Sequence, residues 1–416
     1  MNKIGNLFKG DKVIWMVFLF LCIISVVEVF SASSTLTYKS QNYLSPLIYH
    51  SGMILFGVFV AIVTLNIPCR YFKIVTPLLL FITFGTLLWV LIGGESINGA
   101  NRVIKIARFT FQPSEIAKGT MVLATAQILS AMQRTDGKGA DDKAMKYVLC
   151  IVMPAVFLIG IENLSTACLL FMVIFLMMFI ARVPMVQLGK LMGAGALVVG
   201  VFLTLVLTLG SIEKVDDEKN PPTAQASFGN KDEIKGGGVF HRFATWRNRI
   251  LKHSGTSKVS AKDYDIDKNF QVGHANIAIA SSGVIGKGPG NSTERDYLPQ
   301  AFSDFIYAII IEEIGIAGAI AVVFLYIILL FRAARIAGRC ENNFPAFLVL
   351  GLALLLVIQA TINMMVAVGL MPVTGQPLPL ISKGGTSTII NCAYIGAMLS
   401  VSRSAKQSEP VQAPSK

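Results

Sequence analysis

Residues 13–33, VIWMVFLFLCIISVVEVFSAS, form an apolar block in which Glu28 is the single charged residue. A helix needs about 20 apolar residues to cross roughly 30 Å of hydrocarbon. Backbone amides in lipid find partners only when the chain is helical or forms a closed barrel. The block therefore predicts a transmembrane helix.

Nine further apolar blocks follow in this chain of 416 residues, of which 54% are hydrophobic and 14% charged. Soluble chains carry about 25% charged residues, so a large soluble enzyme and a disordered chain are excluded. The six cysteines include no CxxC pair, and neither a disulfide framework nor a zinc site is expected. The sequence predicts an all-α polytopic membrane protein with ten transmembrane helices, near residues 13–33, 46–67, 74–93, 113–132, 145–161, 165–182, 186–209, 304–331, 345–371 and 385–401.

The distribution of basic residues predicts the orientation of these helices. With the N-terminus inside, the cytoplasmic segments hold 17 Lys and Arg, and the short outer loops hold 5. This bias favours ten spans with both termini cytoplasmic, and it explains the net charge of +12 without a nucleic-acid partner. We expect one membrane domain, 1–416, with a large extracytoplasmic loop, 210–303, between the seventh and eighth helices. Within that loop, small and apolar residues at 277–286 predict a segment that re-enters or lies on the membrane.

Glu115 and Lys118 lie at the outer end of the predicted fourth span. Their i, i+3 spacing places both side chains on one helix face at ion-pair distance. Two interpretations stay open, a structural pair that locks helices together and one wall of a charged cavity. Spacing alone favours the structural pair.

Asp304 lies where the long polar loop turns into the eighth predicted span. It could be an N-terminal acid that satisfies free helix N–H groups, with Ser303 as the cap, or a functional carboxylate at the membrane rim. Glu312 and Glu313 lie about 12–14 Å deeper by helical rise, so we expect them to organise a cavity rather than touch a substrate.

Residues 371–387, MPVTGQPLPLISKGGTS, contain three prolines and three glycines between the last two predicted spans. Such a segment cannot be a regular helix, and at membrane depth it must be buried in protein or line a wet cavity. Gly384 and Gly385 open the following helix, whose free N–H groups could hold an anion such as phosphate. The alternative is a well-packed connector. By contrast, the glycines at 286–290 lack the spacing of a phosphate loop and predict no nucleotide site.

Three groups of motifs resemble the SEDS family (shape, elongation, division and sporulation) and occur in the family's order: Gln112-Pro113-Ser114-Glu115; Ser303-Asp304-Phe305-Ile306-Tyr307-Ala308 followed by Glu312-Glu313-Ile314-Gly315; and Pro372-Val373-Thr374-Gly375 with Pro377-Leu378-Pro379-Leu380-Ile381-Ser382 and Gly384-Gly385. The similarity runs over nearly the whole chain. It implies a peptidoglycan glycosyltransferase that polymerises lipid II, a disaccharide-peptide on undecaprenyl pyrophosphate.

The resemblance also implies roles for individual residues. Asp304 matches the family's essential aspartate, and Glu115 with Lys118 match its cavity ion pair. The chain departs from the family at Lys383, where an aromatic residue is usual, and at Ser303, which replaces a usual threonine. The departures affect the substrate contacts more than the reaction type.

On this basis we expect Asp304 to act as general base toward an N-acetylglucosamine 4-hydroxyl, with inversion to a β-1,4 link. Cations must hold the departing pyrophosphate, and a divalent cation, Mg²⁺ or Mn²⁺, is the cofactor left open. The candidate cations are Arg102, Lys118, Arg242, Arg247 and Arg249. Further substrate-binding candidates are Glu115, Ser382, Lys383, Gly384 and Gly385.

The implied partners are lipid II, a class B penicillin-binding protein (a transpeptidase), other division proteins and membrane lipids. The bacterial inner membrane at the division septum is the implied location, because the motifs favour a division-type over an elongation-type member. A lipid II flippase or proton-coupled carrier using Glu28, Glu115 and Lys118 is the main rival, and a non-catalytic scaffold is a third class. Charges that crowd the outer helix ends favour outward-facing chemistry over transport.

Overall fold

The computed structural model describes residues 9–33, 45–97, 100–106, 109–134, 139–209, 270–298 and 301–407. In these ranges the chain is mainly helical. The helices are α1 (Lys12–Ala32), α2 (Ser45–Asn66), α3 (Cys69–Gly93), α4 (Pro113–Ala131), α5 (Ala144–Glu162), α6 (Leu164–Ile180), α7 (Met185–Leu209), α8 (Phe270–Ser282), α9 (Ile306–Ala337), α10 (Asn343–Ala367) and α11 (Thr386–Gln407). Each of the ten predicted segments coincides with one helix to within six residues at either end, and α8 is additional.

Six helices of the described ranges are long and apolar enough to cross a membrane: α1, α2, α3, α5, α9 and α10. Helix α6 and residues 185–201 of α7 are shorter apolar helices. Helices α4 and α11 are less apolar because they carry polar residues, and most of their residues are buried against neighbouring helices. Polar groups are tolerated there because the protein, rather than lipid, surrounds them.

Glycines allow α2 and α11 to pack with close backbone contact. A Cβ atom on Gly57 would lie 2.7 Å from the Cys392 Sγ, and one on Gly396 would lie 2.5 Å from the Ala61 carbonyl oxygen. Small residues at such positions let membrane helices approach closely. Helix α11 therefore lies inside the bundle, where it also contacts α4 and α10.

The loop between α3 and α4 corrects the all-α expectation. It forms a three-stranded antiparallel sheet of β1 (Glu95–Ile97), β2 (Ala100–Ile106) and β3 (Phe109–Phe111), in the order β1-β2-β3. The sequence between β1 and β2 is Asn-Gly, the dipeptide that most favours a tight hairpin. That signal could have predicted the first two strands.

Helix α9 is broken at Gly315, where φ is 82° and ψ is −178°. A break leaves carbonyls of the first half and amides of the second half without helical partners. The loop that follows α8 supplies those partners in four main-chain hydrogen bonds: Lys287 N to Glu312 O (2.9 Å), Gly288 N to Glu313 O (2.8 Å), Ile316 N to Gly283 O (3.3 Å) and Ala317 N to Val284 O (3.3 Å). The 283–288 loop, which includes part of the glycine-rich stretch, thus supplies the main-chain hydrogen bonds that are missing at the helix break.

The same loop surrounds the two carboxylates that precede the break. Glu312, fully buried, accepts hydrogen bonds from the Lys287 amine at 2.6 Å and from the Ser292 hydroxyl at 2.5 Å. Glu313, also fully buried, accepts from the Gly290 amide at 3.0 Å and from the Ser31 hydroxyl of α1. The two acids therefore attach α9 to the loop and to the end of α1. Both lie inside the protein rather than at its surface, and their role in organising a cavity stays a prediction.

The opposite end of α1 is fixed by Asp11. Its carboxylate accepts the Val13 amide at 2.9 Å as a helix cap and pairs with Arg332 of α9 at 2.7 Å. Burial alone would raise the pKa of Asp11, but the hydrogen bonds from Arg332 and from the α1 amides hold that pKa below its ordinary value. Helices α1 and α9 are thus joined at both ends of α1.

Candidate functional site

Asp304 lies in a turn, residues 301–305, that leads into α9. The Ser303 hydroxyl donates to the Asp304 Oδ1 at 3.0 Å. The cap position belongs to Phe305, which makes no side-chain capping bond, so the alternative in which Ser303 caps the helix is excluded. The Ser303 hydroxyl instead makes its hydrogen bond to the neighbouring Asp304 carboxylate. Asp304 is partly exposed and precedes the first residue of α9.

The broken segment between α10 and α11 holds this turn in place. The Ser382 hydroxyl donates to the Ser303 carbonyl at 2.6 Å and accepts the Leu378 amide at 2.8 Å. The Lys383 amide donates to the Phe302 carbonyl at 2.9 Å. The predicted substrate contact Ser382 is therefore engaged with main-chain groups and fully inside the protein, at 3% exposure.

Lys383 places its amine near the same turn. Its Nζ lies 5.1 Å from the centre of the Phe302 ring, which is a cation–π distance, and burial lowers the pKa of the amine below its ordinary value. Beside it, Gly385 has φ of 54°, and a Cβ atom there would meet no atom within 4 Å. Gly384 packs more closely against Ser387. The backbone at Gly385 is thus open to a close approach by a ligand.

Ser25 of α1 and His50 of α2 support the segment that bears Lys383. The Ser25 hydroxyl donates to the Ile381 carbonyl at 2.6 Å. The Ser25 hydroxyl donates its one proton to that carbonyl, so the His50 Nε2, 2.8 Å from the hydroxyl oxygen, must be the donor of their bond. His50 is 3% exposed and lies within electrostatic range of Lys383. Histidine spacing along the chain gave no sign of this contact.

Glu115 and Lys118 form the predicted ion pair, with 2.9 Å between the Lys118 Nζ and the Glu115 Oε1. Both are buried. The pair also joins helices, because the Lys118 amine bonds to Gln359 of α10 at 2.6 Å and the Tyr394 hydroxyl of α11 donates to the Glu115 carbonyl at 2.5 Å. The Glu115 Oε2 has no hydrogen-bond partner in the described part of the chain. The geometry therefore accommodates both interpretations of the pair.

Two residues that the sequence interpretation missed connect this ion pair with Asp304. Gln359 donates to the Pro377 carbonyl at 3.1 Å. Asn363 donates to the carbonyls of Asp304 at 2.9 Å and of Gln376 at 2.7 Å. Two amides spaced i, i+4 in a mainly apolar helix are a sequence signal that could have identified them, since polar groups in membrane helices are costly.

The remaining predicted cations are only partly described. Arg102 lies in β2, and its side-chain position falls outside the described structure. Arg242, Arg247 and Arg249 lie outside the described residues. Among the described residues, no group of three His, Cys, Asp or Glu could hold a metal ion.

The arrangement thus combines a partly exposed carboxylate, a lysine amine and an open glycine backbone at the mouth of a broken segment. A carboxylate can accept a proton from a hydroxyl, and an amine and free backbone N–H groups can hold an anion. The site is suited to a reaction in which a hydroxyl attacks and an anionic group departs.

Comparison with known proteins is consistent with this chemistry. The model of the FtsW/RodA/SpoVE family, described as cell cycle proteins, matches residues 11–229 and 238–407. A probable peptidoglycan glycosyltransferase FtsW from Enterococcus hirae is 28% identical over 95% of this chain and 94% of its own length. The corresponding protein from Geobacter metallireducens is 29% identical, over 95% of both chains.

Solved structures show a similar fold. A chain from a peptidoglycan synthase complex that coordinates polymerization and crosslinking superimposes with a TM-score of 0.69 at 22% identity, over 96% of this chain and 99% of that one. The rod shape determining protein RodA of Thermus thermophilus superimposes with a TM-score of 0.62 at 22% identity, over 96% and 98%. The helical arrangement described above is therefore a known one.

Proposed function

The protein belongs to the FtsW/RodA/SpoVE family of cell cycle proteins, and from this premise we propose that it is a peptidoglycan glycosyltransferase that polymerises lipid II. The observation that carries the proposal is the partly exposed Asp304 carboxylate. It is held by Ser303 next to the amine-bearing segment of Lys383. The similarity to proteins named as peptidoglycan glycosyltransferases supports the same reaction.

In the proposed reaction, Asp304 accepts the proton of an acceptor 4-hydroxyl as its oxygen attacks the anomeric carbon of a donor sugar. A new carbon–oxygen bond forms on one face while the bond to the lipid pyrophosphate breaks on the other, which inverts the anomeric centre to a β-1,4 link. The proton ends on the carboxylate, and the pyrophosphate leaves with the bonding electron pair. A positioned base typically contributes about 10²–10⁴-fold to such a step.

The departing pyrophosphate requires cations that are in place before the reaction. Within the described site, the amine of Lys383 and the open backbone at Gly385 are the groups that serve this role, and Lys118 with Glu115 forms the charged wall deeper inside. Arg102, Arg242, Arg247 and Arg249 stay candidates for the same role. A bound Mg²⁺ or Mn²⁺ would help these residues to neutralise the charge of the departing pyrophosphate.

The proposal includes the finer architecture. Ten helices cross the bacterial inner membrane with both termini in the cytoplasm, in one domain, 1–416, whose long loop, 210–303, lies outside. The septum is the proposed location and a class B penicillin-binding protein the proposed partner. The similarity to a chain of a peptidoglycan synthase complex supports such a partner.

Purified protein incubated with labelled lipid II, with and without a class B penicillin-binding protein, tests the activity. We expect glycan chains from the native protein and none from Asp304→Asn, which keeps the side-chain shape but cannot accept the proton. Transfer of lipid II between leaflets without glycan chains would indicate the flippase instead, and neither activity would indicate a scaffold. Polymerisation by a folded Asp304→Asn protein would remove Asp304 from the role of base.

A further inference from the structure

Gln359 and Asn363 lie about one turn apart on α10 and direct their amides toward the broken segment. Each is 1% exposed. Thr361, between them in sequence, is exposed and donates only to its own helix, at 2.8 Å to the Val357 carbonyl. A polar side chain in a membrane helix must find its partners inside the protein. The NH₂ groups of both buried amides find theirs in other elements of the fold, whereas in the described residues the Thr361 hydroxyl bonds within its own helix. The Asn363 Oδ1 has no hydrogen-bond partner in the described part of the chain.

Gln359 links the ion pair of α4 to the broken segment. Its Oε1 accepts from the Lys118 amine at 2.6 Å, and its Nε2 donates to the Pro377 carbonyl at 3.1 Å. A primary amide can do both because its donor and acceptor are separate atoms. The position of Lys118 is therefore coupled to the position of the segment.

Asn363 links the same segment to the turn that carries Asp304. Its Nδ2 donates to the Asp304 carbonyl at 2.9 Å and to the Gln376 carbonyl at 2.7 Å. The reverse orientation of the amide would direct the Oδ1 at two carbonyl oxygens, so the hydrogen bonds determine which atom is nitrogen. Both protons of one NH₂ group are thus used to hold two main-chain segments that are 72 residues apart.

The Asp304 carbonyl that Asn363 binds lies just before the start of α9. The first hydrogen bonds of α9 run from the Ala308 and Ile309 amides to the Phe305 carbonyl, at 2.9 and 3.4 Å. Asn363 therefore adds a contact from another element to the backbone of Asp304, at the point where α9 begins.

We propose that Gln359 and Asn363 are positioning residues for the polymerisation reaction. Their hydrogen bonds fix the relative positions of three parts of the site: the backbone of Asp304, the segment that bears Lys383, and the Lys118–Glu115 pair. Neither residue touches the reacting atoms in this proposal, which rests on the proposed function above. A displacement of about 1 Å at a reacting group can cost about 10²-fold in rate, so loss of these contacts should appear in kcat.

The test measures kcat and KM for lipid II polymerisation in full-length Asn363→Leu, Asn363→Ser, Gln359→Glu and Thr361→Val proteins, together with their melting temperatures. Asn363→Leu keeps the size of the side chain and removes both donors, whereas Asn363→Ser retains one. Gln359→Glu retains the acceptor for Lys118 and loses the donor to Pro377. Thr361→Val is the matched control on the same helix.

We expect Asn363→Leu to lower kcat by about 10- to 100-fold, with KM within about 3-fold of native, because orientation rather than binding is lost. Asn363→Ser and Gln359→Glu should lose less, and Thr361→Val should match the native protein. A native kcat in Asn363→Leu, or a loss confined to KM, overturns the inference. If Asn363→Leu does not fold, Asn363→Ser decides by the same criterion.

Failure of this inference is distinguishable from failure of the proposed function. If the native protein polymerises lipid II, Asp304→Asn does not, and the Asn363 variants retain their kcat, only the positioning role is wrong. If the native protein makes no glycan, or Asp304→Asn still does, the proposed function itself is wrong.

Discussion

At the level of single residues, the site depends on the hydrogen-bond partner of each polar side chain near Asp304. Ser303 donates to the carboxylate, Ser382 braces the turn, and Asn363 holds its backbone. Lys383 differs from these three because its side chain ends in an amine, which lies over the Phe302 ring. Lys383, in the broken segment beside this turn, is the residue whose charge can serve the leaving group.

The ionisation of Lys383 leads to a prediction about pH. Because burial lowers the pKa of its amine, the charge is lost at a lower alkaline pH than in an ordinary lysine. If that charge holds pyrophosphate, kcat/KM should fall on the alkaline side as the amine deprotonates. Lys383→Arg, which stays charged, should extend activity to higher pH. Lys383→Met should lower kcat/KM about 10- to 100-fold at neutral pH, the worth of a hydrogen bond to a charged group, and the deficit should shrink on the alkaline side as the native amine loses its charge.

The measurement is the pH profile of polymerisation for the native protein and both variants. The profile of Lys383→Arg is the informative one, since the arginine keeps its charge over the whole pH range of the measurement. An alkaline limb identical in native and Lys383→Arg proteins would show that another group controls it.

At the scale of elements, the break in α9 is the feature on which the site's framework depends. The first half of the helix follows directly from the Asp304 turn, and the loop after α8 completes its hydrogen bonds at Gly315. Glu312 and Glu313 attach that same loop. Because these bonds substitute for the missing helical ones, the break is a defined joint rather than a frayed end.

Glycine-to-alanine substitutions in and away from this joint should lower the free energy of unfolding by different amounts. A Cβ atom on Gly315 would overlap the Val284 carbonyl at a positive φ, so Gly315→Ala should lower the free energy of unfolding by about 2–5 kcal/mol. Gly283 also has a positive φ, 67°, but open space around it, so Gly283→Ala should cost about 1–2 kcal/mol. Gly193→Ala, in an open position of α7, should cost nothing.

Thermal unfolding in detergent measures this order. Gly283→Ala isolates the backbone strain, and Gly193→Ala controls for the added methyl group. Equal melting temperatures for Gly315→Ala and Gly283→Ala would show that the loop yields without cost, contrary to the close packing described here.

At the scale of the whole molecule, the site lies where elements distant in sequence meet. Helices α4, α10 and α11 and the start of α9 form the buried centre, while α7 contacts little beyond α6. The buried centre carries the polar residues of the site, and the outer helices present apolar side chains. This distribution is expected when lipid surrounds the bundle.

The proposed orientation predicts which loops face each side of the membrane. In a cysteine-free background, Tyr297→Cys and Glu341→Cys each place a thiol at an exposed position. A membrane-impermeant maleimide added to intact spheroplasts should label residue 297 and not residue 341, whereas opened membranes should allow both to react. Labelling of residue 341 in intact spheroplasts would contradict the ten-span orientation.

The ten long helices and the ion pair of Glu115 and Lys118 could be predicted from the amino-acid sequence alone. Apolar length and i, i+3 spacing are local properties that follow from the geometry of one helix. Only the folded structure revealed the break at Gly315, the role of the 283–288 loop and the contacts of Gln359 and Asn363. Those features depend on buried polar groups finding partners, and Asn363 lies 59 residues from the carbonyl of Asp304 that it satisfies. No local pattern encodes such a distance, because the partner is selected only when the helices pack.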